Sequence, residues 1–367
     1  MNEDKRLFLL DAYALIYRAY FAFSKTPLVN SKGQNVSAVS GFTSTLFDLM
    51  RREKPTHIAV VFDAAAETTR AAEHSFYKAN RQEMPEDIQT AVPYIKEIIK
   101  AFHIPILEYD GYEADDIIGT VAKQKEEEGY TVFMVTPDKD YAQLVSPNVF
   151  IYKPGRLGND IEILGVKEIQ EKWEVENPKQ VIDILGMWGD AVDNIPGIPG
   201  VGEKTAKKLI KEYGSMENVI ANAENIKGKL GENIRNNVEQ ARISKQLATI
   251  ILDVPVEVND DDLLMSLPDK EKLSQLFTEL EFRSLGKRIL GEDFSVNRDL
   301  KSATSTSVQT SLFEDESIGS ESVVVKGKNI QNTAHTYTLV EHDEAIDDLV
   351  KELLNQNEIC FDTETSS

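Results

Sequence analysis

Three short apolar runs, each delivering the chain to a carboxylate, restrict this sequence more than any other feature it has. They are Leu7-Phe8-Leu9-Leu10 before Asp11, Ile58-Ala59-Val60-Val61-Phe62 before Asp63, and Thr131-Val132-Phe133-Met134-Val135 shortly before Asp138. Runs without polar alternation suit strands buried on both faces, which calls for a mostly parallel sheet with helices on either side. Helical spacing fills the intervals, with Val39, Phe42, Leu46 and Leu49 over 37–51 and Ile88, Val92, Ile95 and Ile98-Ile99 over 88–101. The alternation predicts an α/β fold with a central, mostly parallel sheet flanked by helices. From about residue 165 the strand signal fades and helices dominate to about 290, with Gly and Pro concentrated at 186–202.

The expected organisation is therefore an α/β domain over 1–175 and a helical subdomain over 176–290. A Ser- and Thr-rich flexible linker follows over 291–330, then a smaller pattern over 331–367. In that last part 337–340 and 358–361 read as strands and 343–354 as a helix.

The 367 residues are ample for a buried core. No apolar run approaches the roughly 20 residues that span a bilayer, and the N-terminus has no signal-peptide pattern. Cys360 is the only cysteine, so no internal disulfide is expected and a cytoplasmic setting is the natural expectation. The net charge of −22 argues at first sight against nucleic acid. Half of it, however, lies in residues 291–367, which hold 5 basic and 16 acidic side chains. Much of the rest belongs to one constellation of nine acids.

Asp11, Asp63 and Asp138 each fall just past a predicted strand, and in an open parallel sheet such positions converge on one crevice. Asp140 follows in Thr136-Pro137-Asp138-Lys139-Asp140, and Glu113, Asp115 and Asp116 in Gly111-Tyr112-Glu113-Ala114-Asp115-Asp116 at a helix start. Asp190 and Asp193 close the set in Gly189-Asp190-Ala191-Val192-Asp193-Asn194. Taken singly, a strand-end Asp is more often a turn or helix cap, and acids at a helix start answer the dipole. Nine carboxylates in one crevice need positive charge between them. Oxygen-only donors with no His or Cys nearby in sequence favour Mg²⁺ or Mn²⁺. Two such ions suit phosphodiester hydrolysis.

Together these segments, with Gly189-Asp190 through Lys204-Thr205-Ala206, resemble the 5′ nuclease (flap endonuclease) family. The resemblance is nearest to the form that stands at the N-terminus of bacterial DNA polymerase I. It runs in order over roughly residues 7–290. It implies a PIN-like 5′ nuclease fold in which Asp11, Asp63, Glu113, Asp115 and Asp138 lie near a first ion. Asp140, Asp190 and Asp193 would surround a second, with Asp116 shared between them or just outside. The implied substrate is DNA with a 5′ flap, nick or frayed end, or an RNA primer, cut near a single-strand/duplex junction in replication and repair. A DNA-binding module without catalysis and a PIN-type ribonuclease are the alternatives. The completeness of the acid set argues against the first, and the hairpin described next against the second.

Between the second strand and the following helix, Arg70, His74, Tyr77, Lys78 and Arg81 fall at helical spacings that form a cationic and aromatic face. Lys78 and Arg81 suit charge stabilisation at a phosphate, Arg70 a DNA contact, and Tyr77 stacking on a base. The plain alternative is a solvated helix with Tyr77 in the core. The resemblance makes the segment a gateway over the site. Arg18 is a weaker phosphate candidate. Gly200-Val201-Gly202 opens a helix that carries Lys204, Thr205, Lys207 and Lys208, a place for a backbone phosphate. It resembles a helix–hairpin–helix element, which implies sequence-independent duplex contact and a bound K⁺.

In the linker, Gln309, Leu312 and Phe313 resemble a short sliding-clamp-binding peptide. Asp362 and Glu364 resemble the first metal-binding segment of a 3′–5′ exonuclease domain. Since the sequence stops three residues later, the expectation is a complete 5′ nuclease followed by a stub that neither proofreads nor polymerises. A monomer associated with the nucleoid and without membrane contact completes these expectations.

Overall fold

The computed structural model describes residues 5–66, 68–155, 161–296 and 343–354. Its elements run β1 (Arg6–Asp11), α1 (Ala12–Ala22), α2 (Ser37–Glu53), β2 (His57–Val61), α3 (Thr69–Glu73), α4 (Glu86–Ala101), β3 (Ile106–Leu107), α5 (Ala114–Glu127), β4 (Thr131–Val135), β5 (Val149–Lys153) and β6 (Glu162–Leu164). Helices then follow without further strands among the described residues: α6 (Val166–Trp173), α7 (Gln180–Trp188), α8 (Glu203–Tyr213), α9 (Met216–Ala221), α10 (Gly228–Asn236), α11 (Val238–Ala248), α12 (Asp260–Leu263), α13 (Lys270–Glu279) and α14 (Arg283–Leu290).

The three apolar runs are the three central strands. The sheet order is β3-β2-β1-β4-β5-β6, parallel throughout except for β6, which runs antiparallel to β5. Strand order reverses between β1 and β4, so the carboxyl ends of β1, β2 and β4 open onto a topological switch point. Period-two pleating sends Leu7, Leu9, Ala59, Val61, Val132 and Met134 to one face. There they meet Ile117, Ile118 and Val121 of α5 and Ile184 and Leu185 of α7. The other face carries Phe8, Leu10, Ile58, Val60, Phe133 and Val135 against Ile16, Phe42, Leu46, Ile95, Ile99 and Phe277. Burying each such side chain contributes about 1.5–3 kcal/mol, so the strand ends that carry the acids are firmly anchored.

The first-face core continues without a break from the strands through Val181, Leu209, Ile210, Ala241 and Leu247. The expected α/β domain over 1–175 and helical subdomain over 176–290 thus share one core, and residues 1–300 form one compact unit. Close helix contact in this region rests on Gly186, where a Cβ would lie 2.8 Å from the Lys245 Cα across the α7–α11 crossing. The second unit spans 301–367, and its described part is the helix α15 (Asp343–Leu354), as the sequence pattern predicts. The expected strands at 337–340 and 358–361 and most of the linker lie outside the described residues.

Candidate metal centre

Each acid is delivered by a different piece of local chemistry. Asp11 is both the last residue of β1 and the N-cap of α1, its Oδ1 accepting from Ala14 N at 3.1 Å. Its Oδ2 accepts from the Thr136 hydroxyl at 3.0 Å and from Tyr141 OH at 3.3 Å. The same Thr136 oxygen accepts from Asp138 N at 3.1 Å, and Asp138 Oδ1 accepts from Asp140 N at 2.9 Å. One buried hydroxyl thus ties the end of β1 to the turn after β4. Asp63 accepts from Ala114 N at 2.9 Å and fixes the start of α5 beside β2. Glu113 caps α5, and its backbone N–H donates to Asp116 Oδ2 at 3.2 Å. Asp190 and Asp193 lie on the loop after α7, which reverses at Gly189 (φ 78°) and is pinned by paired backbone bonds between Asp190 and Ile195. Asp190 Oδ1 accepts from Val192 N at 2.7 Å.

Cations from three segments reach into this group. Arg70, on α3, is 7% exposed and donates to Asp116 at 2.6 and 2.8 Å, to Glu113 at 3.0 Å and to the Thr249 carbonyl at 2.8 Å. Lys78 Nζ sits 2.7 Å from Glu113 Oε1 and 3.9 Å from Asp193, while Arg81 donates to Asp193 at 2.5 Å. Lys139 Nζ lies 2.6 Å from Asp190 Oδ2. The segment that carries Lys78 is itself fastened to the Asp190–Asp193 loop. Lys78 N donates to Asp193 O at 2.9 Å, Asn194 Nδ2 to Phe76 O at 2.7 Å and Asn80 Nδ2 to Ala191 O at 2.8 Å.

Three expectations need correction here. Tyr77 is 5% exposed, packs in the core and donates its hydroxyl to Glu113 at 3.0 Å, so it offers no face for a base. Arg70 is buried and spends both terminal nitrogens on Glu113, Asp116 and the Thr249 carbonyl, so it does not offer the exposed DNA contact expected of it. Both lie in a segment whose helix covers only Thr69–Glu73, so an amphipathic face over 70–81 does not form. Asp116 is 1% exposed with both oxygens taken by Arg70 and backbone N–H groups, one of them Ile251 N at 2.8 Å. It positions Arg70 and Glu113, which suits the place just outside the ions that the resemblance allows it.

The electrostatics of the remaining acids show what they lack. Burial, then the neighbouring Asp63, pushes Asp11 up to about 7. Burial, then Asp138, pushes Asp140 up to about 8. Burial and the adjacent Asp116 carboxylate hold Asp115 well above the usual range. Oδ1 of Asp115 and Oδ1 of Asp140 are buried without any hydrogen-bond partner. Unpaired buried carboxylate oxygens are costly, and an all-oxygen donor set of this kind fits a hard divalent cation. Among the described residues no three acids stand close enough to hold an ion as they are placed. Lys78, Arg81 and Lys139 instead satisfy part of the charge.

Of the phosphate-binding candidates, Gly200 takes a left-handed φ of 79° and leads through Gly202 into α8. Lys204 and Lys208 are exposed and Thr205 is half-buried. Lys207 departs from expectation: its side chain is 12% exposed, bonded to the Lys172 carbonyl at 2.9 Å and paired with Glu203 at 2.6 Å. Arg18 donates to the Gly155 carbonyl. Sequence reasoning passed over Lys139, which reads as a spacer between two acids, and over Tyr13 and Tyr17 on α1. Burial, then Asp63, raises the Tyr13 hydroxyl, and Tyr17 and the 60% exposed Phe21 stand 6.2 Å apart in an aromatic file leading away from Asp11. Four-residue spacing after a strand-end acid was the available signal. Gln309, Leu312, Phe313, Asp362 and Glu364 lie outside the described residues.

Residues 6–174 match the family described as "5'-3' exonuclease, N-terminal resolvase-like domain", and residues 176–271 the one described as "5'-3' exonuclease, C-terminal SAM fold". The chain is 40% identical over 285 residues to the 5'-3' exonuclease of Aquifex aeolicus (strain VF5), covering 78% of this chain and 95% of that protein. It is 43% identical over 282 residues to DNA polymerase I of Bacillus caldotenax, covering 76% of this chain and 32% of that one. The chain thus spans about a third of the polymerase relatives it matches. Two solved structures share the fold. One is bacteriophage T5 5'-exonuclease with bound divalent zinc ions (TM-score 0.53, 22% identity, 66% of this chain and 89% of that one). The other is the catalytic core of Rad2 in complex with DNA substrate (TM-score 0.52, 19% identity, 78% and 92%).

Proposed function

Since the chain belongs to the 5′–3′ exonuclease/flap endonuclease family and is a nuclease of that family, we propose that it cuts DNA or an RNA primer near a single-strand/duplex junction, at the carboxylate crevice above β1, β2 and β4. The observation that carries this reading is the pair of buried carboxylate oxygens on Asp115 and Asp140 that no hydrogen bond satisfies, the first with only Arg70 Nη1 at 4.0 Å, set among acids that burial and mutual repulsion have pushed up. Asp11, Asp63, Glu113, Asp115 and Asp138 would hold one divalent ion, and Asp140, Asp190 and Asp193 a second. When bound, Mg²⁺ or Mn²⁺ would supply a water acidic enough to attack at neutral pH and would offset charge on the phosphate.

The chain's own groups do the rest. Lys78 and Arg81 rest on Glu113 and Asp193, where each can turn from carboxylate to phosphate once the acids have another counter-charge. Thr136 and Tyr141 hold Asp11 in one orientation by donating to it. The exposed Lys204, at the start of the helix that Gly202 opens, and Lys208, one turn further along it, suit a duplex backbone read without reference to sequence. The same reading makes 176–290 the part that grips duplex, with a K⁺ at its hairpin, in a monomer acting in the cytoplasm. A sliding-clamp contact through Gln309, Leu312 and Phe313 is part of the same proposal.

The test is a 5′-labelled double-flap DNA with and without millimolar Mg²⁺, comparing wild type with Asp138→Asn and Asp193→Asn. Metal-dependent release of a short 5′ fragment that both variants lose, while still binding DNA, is the expected result. Binding without cleavage under any divalent ion would leave a non-catalytic module in its place.

A further inference from the structure

The acids of the second group differ in what already occupies them. Asp140 keeps a buried oxygen with no hydrogen-bond partner. Asp190 has none to spare: Oδ1 accepts from Val192 N at 2.7 Å and Oδ2 lies 2.6 Å from Lys139 Nζ. Lys139 is not a loose surface lysine that happens to fall there. It is the residue between Asp138 and Asp140, so its backbone is fixed by the bonds that build that turn. Its ammonium also lies 4.5 Å from the centroid of the Trp188 ring, at the end of α7, which holds the charge beside Asp190 by cation–π attraction. Asp190 follows Trp188 by two residues, so ring, lysine and carboxylate form one small assembly. An ammonium at 2.6 Å fills the place that a divalent ion needs on that oxygen.

Resting on the two-ion reading above, we propose that Lys139 is a tethered counter-cation for Asp190. It neutralises Asp190 in the free protein and must leave that carboxylate before a divalent ion can use it. An ion therefore reaches Asp190 only as Lys139 swings away. Trp188 keeps the released ammonium at the rim of the site, so the cation is displaced without being lost. Lys139 is a positioning residue in this scheme, and no proton has to move.

The experiment is Mn²⁺ titration of the full chain, without DNA, by calorimetry and by the electron paramagnetic resonance of free Mn²⁺. Wild type is compared with Lys139→Met and Lys139→Arg, all three checked for a native circular dichroism spectrum. Removing the competitor should tighten one of two Mn²⁺ sites by about tenfold, an effect of roughly 1.4 kcal/mol, and leave the other within about twofold. Lys139→Arg should restore wild-type behaviour. In a parallel titration with diamagnetic Mg²⁺, the ¹⁵N-lysine signal of Lys139 should move along one of the two binding isotherms. Equal tightening of both sites would mean only a general loss of positive charge, and no change in either would mean that Lys139 does not compete. Either result overturns the proposal while leaving the two-ion site standing. Failure of the wild type to bind two Mn²⁺ ions would instead remove the metal reading beneath it, and this inference with it.

Discussion

Replacing Arg70 by methionine separates a structural arginine from a DNA-binding one. Its guanidinium joins three segments that are far apart in sequence: α3, the start of α5 through Asp116 and Glu113, and the C-cap of α11 at Thr249. Methionine fills similar space but leaves Asp116, 1% exposed, without its counter-charge and Glu113, 4% exposed, with Lys78 alone. Removing one partner of a buried ion pair costs about 3–5 kcal/mol, since the other charge stays buried. That is a large part of the roughly 5–15 kcal/mol that holds a typical domain together, so the variant should fold but with a much lower urea midpoint. The companion measurement is DNA affinity against salt. A residue touching phosphate contributes about 0.9 to the slope of log K against log salt, and a buried one contributes nothing. Arg70→Met is therefore expected to lose stability with the wild-type salt slope retained. Unchanged stability together with a slope smaller by about one would refute this account of Arg70.

Three further outcomes follow from the same structure. Lys204→Ala and Lys208→Ala should each lower that salt slope by about 0.9, whereas Lys207→Ala, which loses only its ties to Lys172 and Glu203, should leave it unchanged. Gly189→Ala places a Cβ 2.4 Å from the Ile195 carbonyl oxygen at a φ of 78°, so the Asp190–Asp193 loop must shift; flap cleavage should fall at least about tenfold, read against unaltered duplex binding. Asp140 is raised from about 4 to about 8, so the stability linked to its proton is full below pH 4 and is lost as pH rises through 8. Without divalent ions Asp140→Asn should therefore be more stable than wild type at pH 7.5, by roughly 1–3 kcal/mol, with the gain vanishing toward pH 4; a variant less stable than wild type at pH 7.5 would contradict the burial argument.

The sequence by itself determined the sheet and the places where acids leave it. Continuous apolar runs have one stable solution, burial on both faces of a parallel sheet, and an acid at the end of such a run must emerge at the sheet's carboxyl edge. Asp11, Asp63 and Asp138 were legible for that reason. So was the helical half, because α8 and α11 carry their apolar residues at the spacing of a helix. The roles of the basic and aromatic residues were decided only by the tertiary structure. Over 69–81 the chain makes a single short helix and then a turn in which Lys78 takes a left-handed φ of 57°, so spacing along the sequence no longer tells which side chains share a face. Whether Tyr77 is a platform or a core residue depends on Glu113, and whether Arg70 is free or buried depends on Asp116 and Thr249. Lys139 acquires its partner from Asp190, fifty-one positions away by number, and its ring from Trp188. A charged side chain takes its meaning from the opposite charge it meets, and that partner is chosen by the packing of distant segments rather than by its neighbours along the chain.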